Sequence, residues 1–331
     1  MLRRLRFDAR MVHPAGMNSK IPRASTGIMD AAAGDDGHPV SPATVQDTRA
    51  ALLKRSKRGF APVNKVFVQA PAGSESRHGM LATFVTGRDL RGLHAMLLLL
   101  GIISSGSGDD GWSTTLPIKV WARALGTTLT TTGQSATTAV SKTLARLEDR
   151  KLITRTRRGR ERNIRVTLLR EDGSGDPYTR PAAGNRDRFL QLPHTFWLDG
   201  WHDRLDLPAT AMLLVALHEK PGFELPTEKI PEWYGWSADT AERGLKTLMS
   251  LGVLTKTERV KKAPLSPSGL TSVNQYTLQP PFAPNPQAIG TTTEKGDTTA
   301  ASPDRITRRR RPTRPRTIAP ATTAAPARAA R

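Results

Sequence analysis

Hydrophobic residues recur at helical spacing in three segments of the first half of the chain. Residues 89–103 carry leucines three and four positions apart, which is the spacing of a buried helix face. Residues 116–125 predict a second helix, with Pro117 in its first turn. Residues 135–150 predict a third helix, with one apolar face and Ser135 as its cap.

Alternating polar and apolar residues follow the third helix and predict a β-hairpin. Residues 152–157 and 163–169 alternate on either side of a Gly-containing turn at 158–161. A short strand at 66–68 precedes the three helices. The predicted order is therefore strand, three helices and hairpin.

The second half of the chain repeats this order. It predicts a strand, three helices and the two strands of a hairpin, at residues 189–193, 208–219, 227–234, 237–251, 253–259 and 273–278.

Individual residues repeat as well. Residues 144–156 align with 245–257, and the Phe-to-Pro segment at 67–71 aligns with that at 189–193. A repeat of about a hundred residues indicates a duplicated domain.

The rest of the chain lacks this periodicity. Its two ends mix Arg, Gly, Ala, Pro and Thr, so we expect both to be disordered. Residues 48–58 are an exception and predict a short basic helix in solvent. The predicted fold class is α+β and mainly helical, with two domains of three helices plus a β-hairpin. The predicted disordered N-terminal region, first domain, linker, second domain and disordered basic tail are residues 1–62, 63–171, 172–187, 188–282 and 283–331.

Charge points to a polyanionic partner. The formal net charge is +21, and nucleic acid is the usual partner of so basic a chain. The tail from residue 301 contributes +8 of this charge, so the remaining +13 is not a tail effect.

Several chemistries are excluded. The chain has no Cys, which removes thiolate chemistry and suits a reducing cytoplasm. The apolar run at 95–103 is too short to span a membrane. Gly106–Gly111 fits G-x-G-x-x-G but follows a helix and holds two acids, and His194 and His202 lack a third metal ligand. We therefore predict no catalytic residue, metal or cofactor, and a protein that is not an enzyme.

Three helices followed by a basic hairpin resemble the winged helix-turn-helix domains of bacterial DNA-binding proteins. The pattern Leu-x-x-Leu-x-x-x-x-Leu-Ile at 144–153, before the hairpin, carries this resemblance. It implies that the third helix enters the major groove of double-stranded DNA and that the hairpin, or wing, grips phosphates. The Phe-x-x-x-Pro strand ahead of each unit is similar to the opening strand of the winged-helix domains in plasmid replication initiators. Those proteins often carry two winged helices in tandem.

The resemblance implies specific contact residues in the first unit. On the recognition helix they are the outward polar residues Gln134, Ser135, Thr137, Thr138, Ser141, Lys142 and Arg146. On the wing they are Arg155, Arg157, Arg158, Arg160, Arg162 and Arg165. Residues 151–170 hold eight basic residues and one acid, which indicates phosphate contact more than simple solvation.

The second unit and the tail add further basic residues. In the second unit they are Arg243, Lys246, Lys256, Arg259, Lys261 and Lys262. Asp239 and Glu242 lie among them and repel phosphate, so this unit either binds a second half-site or forms a homodimer surface. In the tail, a nonspecific tether to DNA is expected, with entry into a narrow minor groove as the alternative, from Arg308, Arg309, Arg310, Arg311, Arg314 and Arg316.

The sequence supports three functions. The first is a transcription regulator, and the second is a replication initiator of a plasmid or mobile element. The third is a non-enzymatic adaptor that coats nucleic acid with its basic tails.

Overall fold

The computed structural model of the chain describes residues 41–283, apart from residues 105, 107–110, 131–132, 159–162 and 182–188. Within these residues the fold is α+β and mainly helical, as predicted. The helices α1 to α10 are Val45–Arg55, Leu81–Thr86, Leu90–Ile102, Ile118–Ala124, Gly133–Asp149, Thr195–Leu198, Trp201–Arg204, Leu207–His218, Ile230–Tyr234 and Ala238–Ser250. The strands β1 to β8 are Phe60–Asn64, Ser113–Pro117, Ile153–Arg158, Asn163–Leu168, Phe189–Pro193, Phe223–Glu224, Leu254–Lys262 and Leu270–Leu278.

Helices α3 and α8 lie at the centre of the core. Asp89 caps α3 by accepting the Gly92 N–H at 2.9 Å, and Asp206 caps α8 by accepting the Ala209 N–H at 2.9 Å. Both helices are apolar almost all round and buried on nearly every face. They therefore need neighbours on several sides: α3 packs on β1 and α5, and α8 packs on β5 and α10.

The elements after these two helices follow the same order. Helix α3 precedes β2, α4, α5, β3 and β4, while α8 precedes β6, α9, α10, β7 and β8. The strand orders β2-β4-β3 and β6-β8-β7 also correspond, and all the pairs are antiparallel. Each half thus holds the predicted helices and hairpin, plus a short strand that the sequence pattern does not predict.

One of these short strands corrects a helix boundary. Residues 113–117 form β2, so α4 begins at Ile118 rather than at Leu116. Pro117 lies at the cap position of α4, where its missing N–H costs no helical hydrogen bond. The Trp121 indole then donates to the Ile164 carbonyl at 3.1 Å and holds α4 against the hairpin.

A two-stranded sheet joins the two halves of the chain. Strand β1 pairs antiparallel with β5, with Phe60 opposite Pro193 and Asn64 opposite Phe189. The rings of Phe60 and Phe189 stack with their centroids 6.3 Å apart. Because α3 packs on β1 and α8 packs on β5, this sheet brings both halves into one continuous core.

The position of β1 corrects the predicted strand at 66–68. The chain forms a 3-10 turn at Lys65–Phe67 instead, and the strand precedes it. The structural counterpart of Phe189 is therefore Phe60, not Phe67. Phe67 matches Phe196, and both side chains are fully buried just after their strands.

The predicted disorder of residues 1–62 is wrong for residues 45–62. Helix α1 begins with a capping box in which Thr44 and Asp47 satisfy each other's backbone. Leu52 and Leu53 are buried, and Arg49 donates to the Ala124 carbonyl at 2.9 Å. The predicted basic helix therefore exists, but one face is packed in the core. Residues 1–40 lie outside the described residues.

Much of the predicted linker packs on the first half. Tyr178 is buried and meets the Trp112 ring edge-on at 5.7 Å. The guanidinium of Arg180 lies 4.3 Å from the same ring and donates to the Ile103 carbonyl. Residues 182–187 of the linker are outside the described part of the chain. The described residues belong to one compact unit that ends at Pro284.

Gly244 sets the distance between α10 and α8. A Cβ at this position would lie 2.3 Å from the Pro208 carbonyl oxygen and 2.7 Å from Cγ of Met212. We therefore expect Gly244→Ala to lower the free energy of unfolding by about 1–3 kcal/mol, measured by urea denaturation. Gly59→Ala is the control, because open space surrounds Gly59. Equal effects of the two substitutions would contradict this account of the packing.

Candidate nucleic-acid interface

Helix α5 presents a polar face to solvent along its N-terminal half. Ala136, Val140 and Leu144 bury the opposite face. The helix begins at Gly133, so Ser135 lies in the first turn and does not cap it. Six predicted contact residues on this helix are exposed or half-buried: Gln134, Ser135, Thr137, Thr138, Ser141 and Lys142.

Three hydroxyls on this face donate into the helix itself. Thr137 and Thr138 donate to the Gln134 carbonyl at 2.9 and 3.0 Å, and Ser141 donates to the Thr137 carbonyl at 3.2 Å. Because their protons are used, these hydroxyls offer acceptor lone pairs to a ligand. Such acceptors suit the exocyclic amino groups of adenine and cytosine.

Arg146 is half-buried and bound by Asp89. Its Nε and Nη2 donate to the two carboxylate oxygens, each at 2.9 Å, and Arg150 donates to the same carboxylate at 2.9 Å. Burial raises the pKa of Asp89, but hydrogen bonds from Arg146, the Gly92 N–H and Arg150 outweigh burial and hold the pKa below its ordinary value. Arg146 therefore joins α5 to the start of α3, and its guanidinium fork is occupied.

Two of the predicted wing arginines also make internal bonds. Arg155 donates from Nε to Glu148 at 2.7 Å and from Nη1 to the Ser141 carbonyl at 2.8 Å, which ties β3 to α5. Arg165 is buried and donates to the Ser113 hydroxyl at 2.8 Å, which ties β4 to β2. We assign these two side chains to the integrity of the fold.

Among the predicted contact residues of the first half, two described basic side chains are left for a ligand. Lys142 on α5 and Arg157 on β3 are exposed, and neither has a hydrogen-bond or ion-pair partner among the described residues. The backbone of Arg158 belongs to β3, and its side chain lies outside the described part, as do Arg160 and Arg162.

A groove of about 850 Å³ borders the N-terminal end of α5. The start of α1, helix α4 and the turn before α5 form its other walls. Gln134 and Thr137 line it together with Lys119 and Leu129, the last 67% exposed. Lys119 and Leu129 are not among the contact residues predicted from the sequence. They lie next to α5 because α4 and the 3-10 turn at Thr127–Leu129 pack against it, which the sequence pattern does not indicate.

Helix α10 differs from α5 in charge. Arg243 forms an exposed i,i+4 ion pair with Asp239 at 3.2 Å, and Glu242 and Lys246 are also exposed. Carboxylates on this face lower its attraction for phosphate.

The second hairpin, β7–β8, is basic. Lys256, Arg259 and Lys262 are exposed, whereas Lys261 pairs with Glu224 on β6. Three of the four predicted basic residues of this hairpin are therefore available to a ligand.

The part of the chain that the structure describes offers no metal site and no membrane-spanning helix. No group of three or more His, Asp or Glu side chains there is arranged as metal ligands. None of the described helices has the length and apolar character that crossing a membrane requires. The tail arginines from Arg308 to Arg316 lie beyond the described residues.

Comparisons with known proteins give no match. No protein-family model, no curated protein and no solved structure matches this chain.

Proposed function

We propose that this protein binds double-stranded DNA through two winged helices, with α5 and α10 as recognition helices and the hairpins as wings. The observation that carries the proposal is the exposed polar face of α5, with Lys142 unpaired, followed by a basic hairpin. In this domain class the N-terminal part of the third helix faces base edges and the hairpin contacts phosphates. The repeated element order and the repeated strand order support two such domains.

The first half is assigned the specific contact. Lys142 is positioned for guanine O6 and N7 or for phosphate, and the Thr and Ser hydroxyls accept hydrogen bonds from amino groups. The second half contacts DNA mainly through Lys256, Arg259 and Lys262, because Asp239 and Glu242 repel phosphate from α10. A homodimer through the second half is the competing role for that surface.

Transcription regulation is the process we propose. Replication initiation is the second candidate, favoured by the tandem units that the β1–β5 sheet joins. A single repeated operator would support a regulator, and iterated sites with origin melting would support an initiator. Salt-sensitive binding without sequence preference would support a nucleic-acid-coating adaptor.

The test selects binding sequences from a random-duplex pool with the full chain at two salt concentrations. We expect one sequence to be enriched. Lys142→Ala should weaken binding to it by about tenfold, since one good base contact is worth about 1–3 kcal/mol. Arg157→Ala should weaken binding to all sequences and lower the salt slope by about 0.9, the contribution of one phosphate.

Lys54→Ala removes the same charge from an exposed site on α1 and serves as the control. It should leave the preference for the selected sequence unchanged. If no sequence is enriched at either salt concentration, the sequence-specific function is wrong. If Lys142→Ala and Lys54→Ala behave alike, α5 is not the reading helix.

A further inference from the structure

The second hairpin projects from the protein as an arm. Each of its strands has nine residues, whereas β3 and β4 have six. Leu254 and Leu278 are buried at its base, but the rest of β7 from Thr255 onward is exposed or, at Lys261, half-buried. We call β7, β8 and the turn at 263–269 the arm.

The tip of the arm carries apolar side chains in solvent. Leu265 is fully exposed, and Val260 and Leu270 are 63% and 50% exposed. Pro264 and Pro267 stand beside Leu265. A cluster of exposed apolar side chains at the end of a projecting element favours a contact with a partner.

The tip is shaped by its own hydrogen bonds. Ala263 donates its N–H to the Gly269 carbonyl at 2.8 Å, and Ser266 donates to the Ala263 carbonyl at 2.9 Å. Gly269 adopts φ +70, and the Ser268 hydroxyl donates to the Leu270 carbonyl at 3.0 Å. Because the turn is already formed, presenting Leu265 to a partner costs little ordering entropy.

The charges on the arm select the partner. The arm holds four basic residues and one acid, Glu258, which accepts a hydrogen bond from Ser272. Lys256, Arg259 and Lys262 form no side-chain hydrogen bond or ion pair among the described residues, although Arg259 is close enough to Glu224 to lower the pKa of that carboxyl. Against the arm of a second copy these charges would repel each other, whereas a phosphate backbone attracts all three.

We propose that the arm follows the DNA backbone and inserts Leu265 between two base pairs from the minor groove, which kinks the duplex. This inference rests on the proposed DNA binding and adds a mode of binding to it. Two paired strands lie about 4.8 Å apart before side chains are counted, so an undistorted minor groove about 6 Å wide admits the tip more readily than the whole ribbon. Only the tip enters, and an apolar wedge that enters unstacks a base step and bends DNA by about 20–90°.

The test measures energy transfer between the labelled ends of a duplex of about 30 base pairs with central TpA steps, which unstack most easily. The full chain should raise the transfer on binding. Leu265→Ser should bind within about tenfold of the wild type, because the phosphate contacts remain, but should lose most of the rise in transfer. Leu198→Ser, at another exposed leucine, should retain it.

The outcomes separate this inference from the proposed function. If Leu265→Ser bends the duplex as the wild type does, the wedge is wrong while DNA binding stands. If the wild type binds no duplex, both proposals fail. If the wild type forms a dimer that Leu265→Ser abolishes without any change in bending, the tip contacts a second copy and the wedge is overturned.

Discussion

Replacing Asp89 with alanine is expected to lower the free energy of unfolding by about 3–5 kcal/mol, the range found when one partner of a buried ion pair is removed. The carboxylate is 8% exposed, caps α3 and accepts from both Arg146 and Arg150. Its loss leaves the Arg150 guanidinium, which lies above the Phe84 ring, with only the Arg146 carbonyl at 3.3 Å as an acceptor among the described residues. Urea denaturation at neutral pH measures the change.

Asp89→Asn separates the cap from the charge. Asparagine caps helices about as well as aspartate, so this variant keeps the cap and loses the ion pairs. It should lie between the wild type and Asp89→Ala. Glu232→Gln removes an exposed pair with Lys229 and should change stability by less than about 1 kcal/mol. If Asp89→Ala is no worse than Glu232→Gln, the carboxylate does not hold α5 against α3.

Acid should destabilise the fold through His94. Burial lowers the pKa of His94 to about 3, helped by the nearby His202 and Arg49. In the unfolded chain the ordinary value is about 6.5, so the unfolded state binds the proton first as the pH falls. The stability due to neutral His94 is complete above pH 6.5 and declines below it, by about 2 kcal/mol between pH 8 and pH 5.

Glu171 changes the pH dependence of stability in the opposite direction, so the measurement needs a variant that lacks this carboxyl. Burial raises the pKa of this carboxyl to about 7, although Oε1 accepts the Asn64 N–H at 3.0 Å. The folded state then binds the proton first, so stability rises as the pH falls from 8 to 5. The two effects largely cancel in the wild type.

The comparison is therefore made in Glu171→Gln, by urea denaturation at pH 8 and pH 5. Acidification should cost this variant about 2 kcal/mol through His94. Burial also lowers the pKa values of His194 and His202, which add to the loss in both variants, so Glu171→Gln/His94→Leu should lose clearly less but not nothing. The same loss in both variants would show that His94 is not responsible.

The long periodic segments were predictable from sequence. Helices α3, α8 and α10 lie within a residue or two of their predicted positions, because leucine spacing and Asp or Ser caps are local signals. Strands β1, β2 and β6 were not predicted as strands. Each is short and is defined by its partner across the sheet, which no local pattern specifies.

The candidate site was predictable only in part. The outward face of α5 follows from helical period, so Lys142 is exposed as predicted. The period cannot show that Arg146 on the same helix meets Asp89 from α3, or that Arg165 is buried against β2. Long basic side chains near an interface between elements need the tertiary structure before they can be assigned to a ligand.

The two-stranded sheet of β1 and β5 fixes the spacing and orientation of the two halves of the molecule. In this two-stranded sheet β1 pairs with β5 alone among the described strands. One half produced without the other would therefore expose an unpaired strand edge, which favours aggregation. In the proposed binding mode, a flexible tether between the halves would allow many separations of two DNA contacts. The shared sheet instead fixes one separation and one rotation, so the second proposed contact adds affinity only where its site lies in the matching helical phase, within a repeat of about 10.5 base pairs.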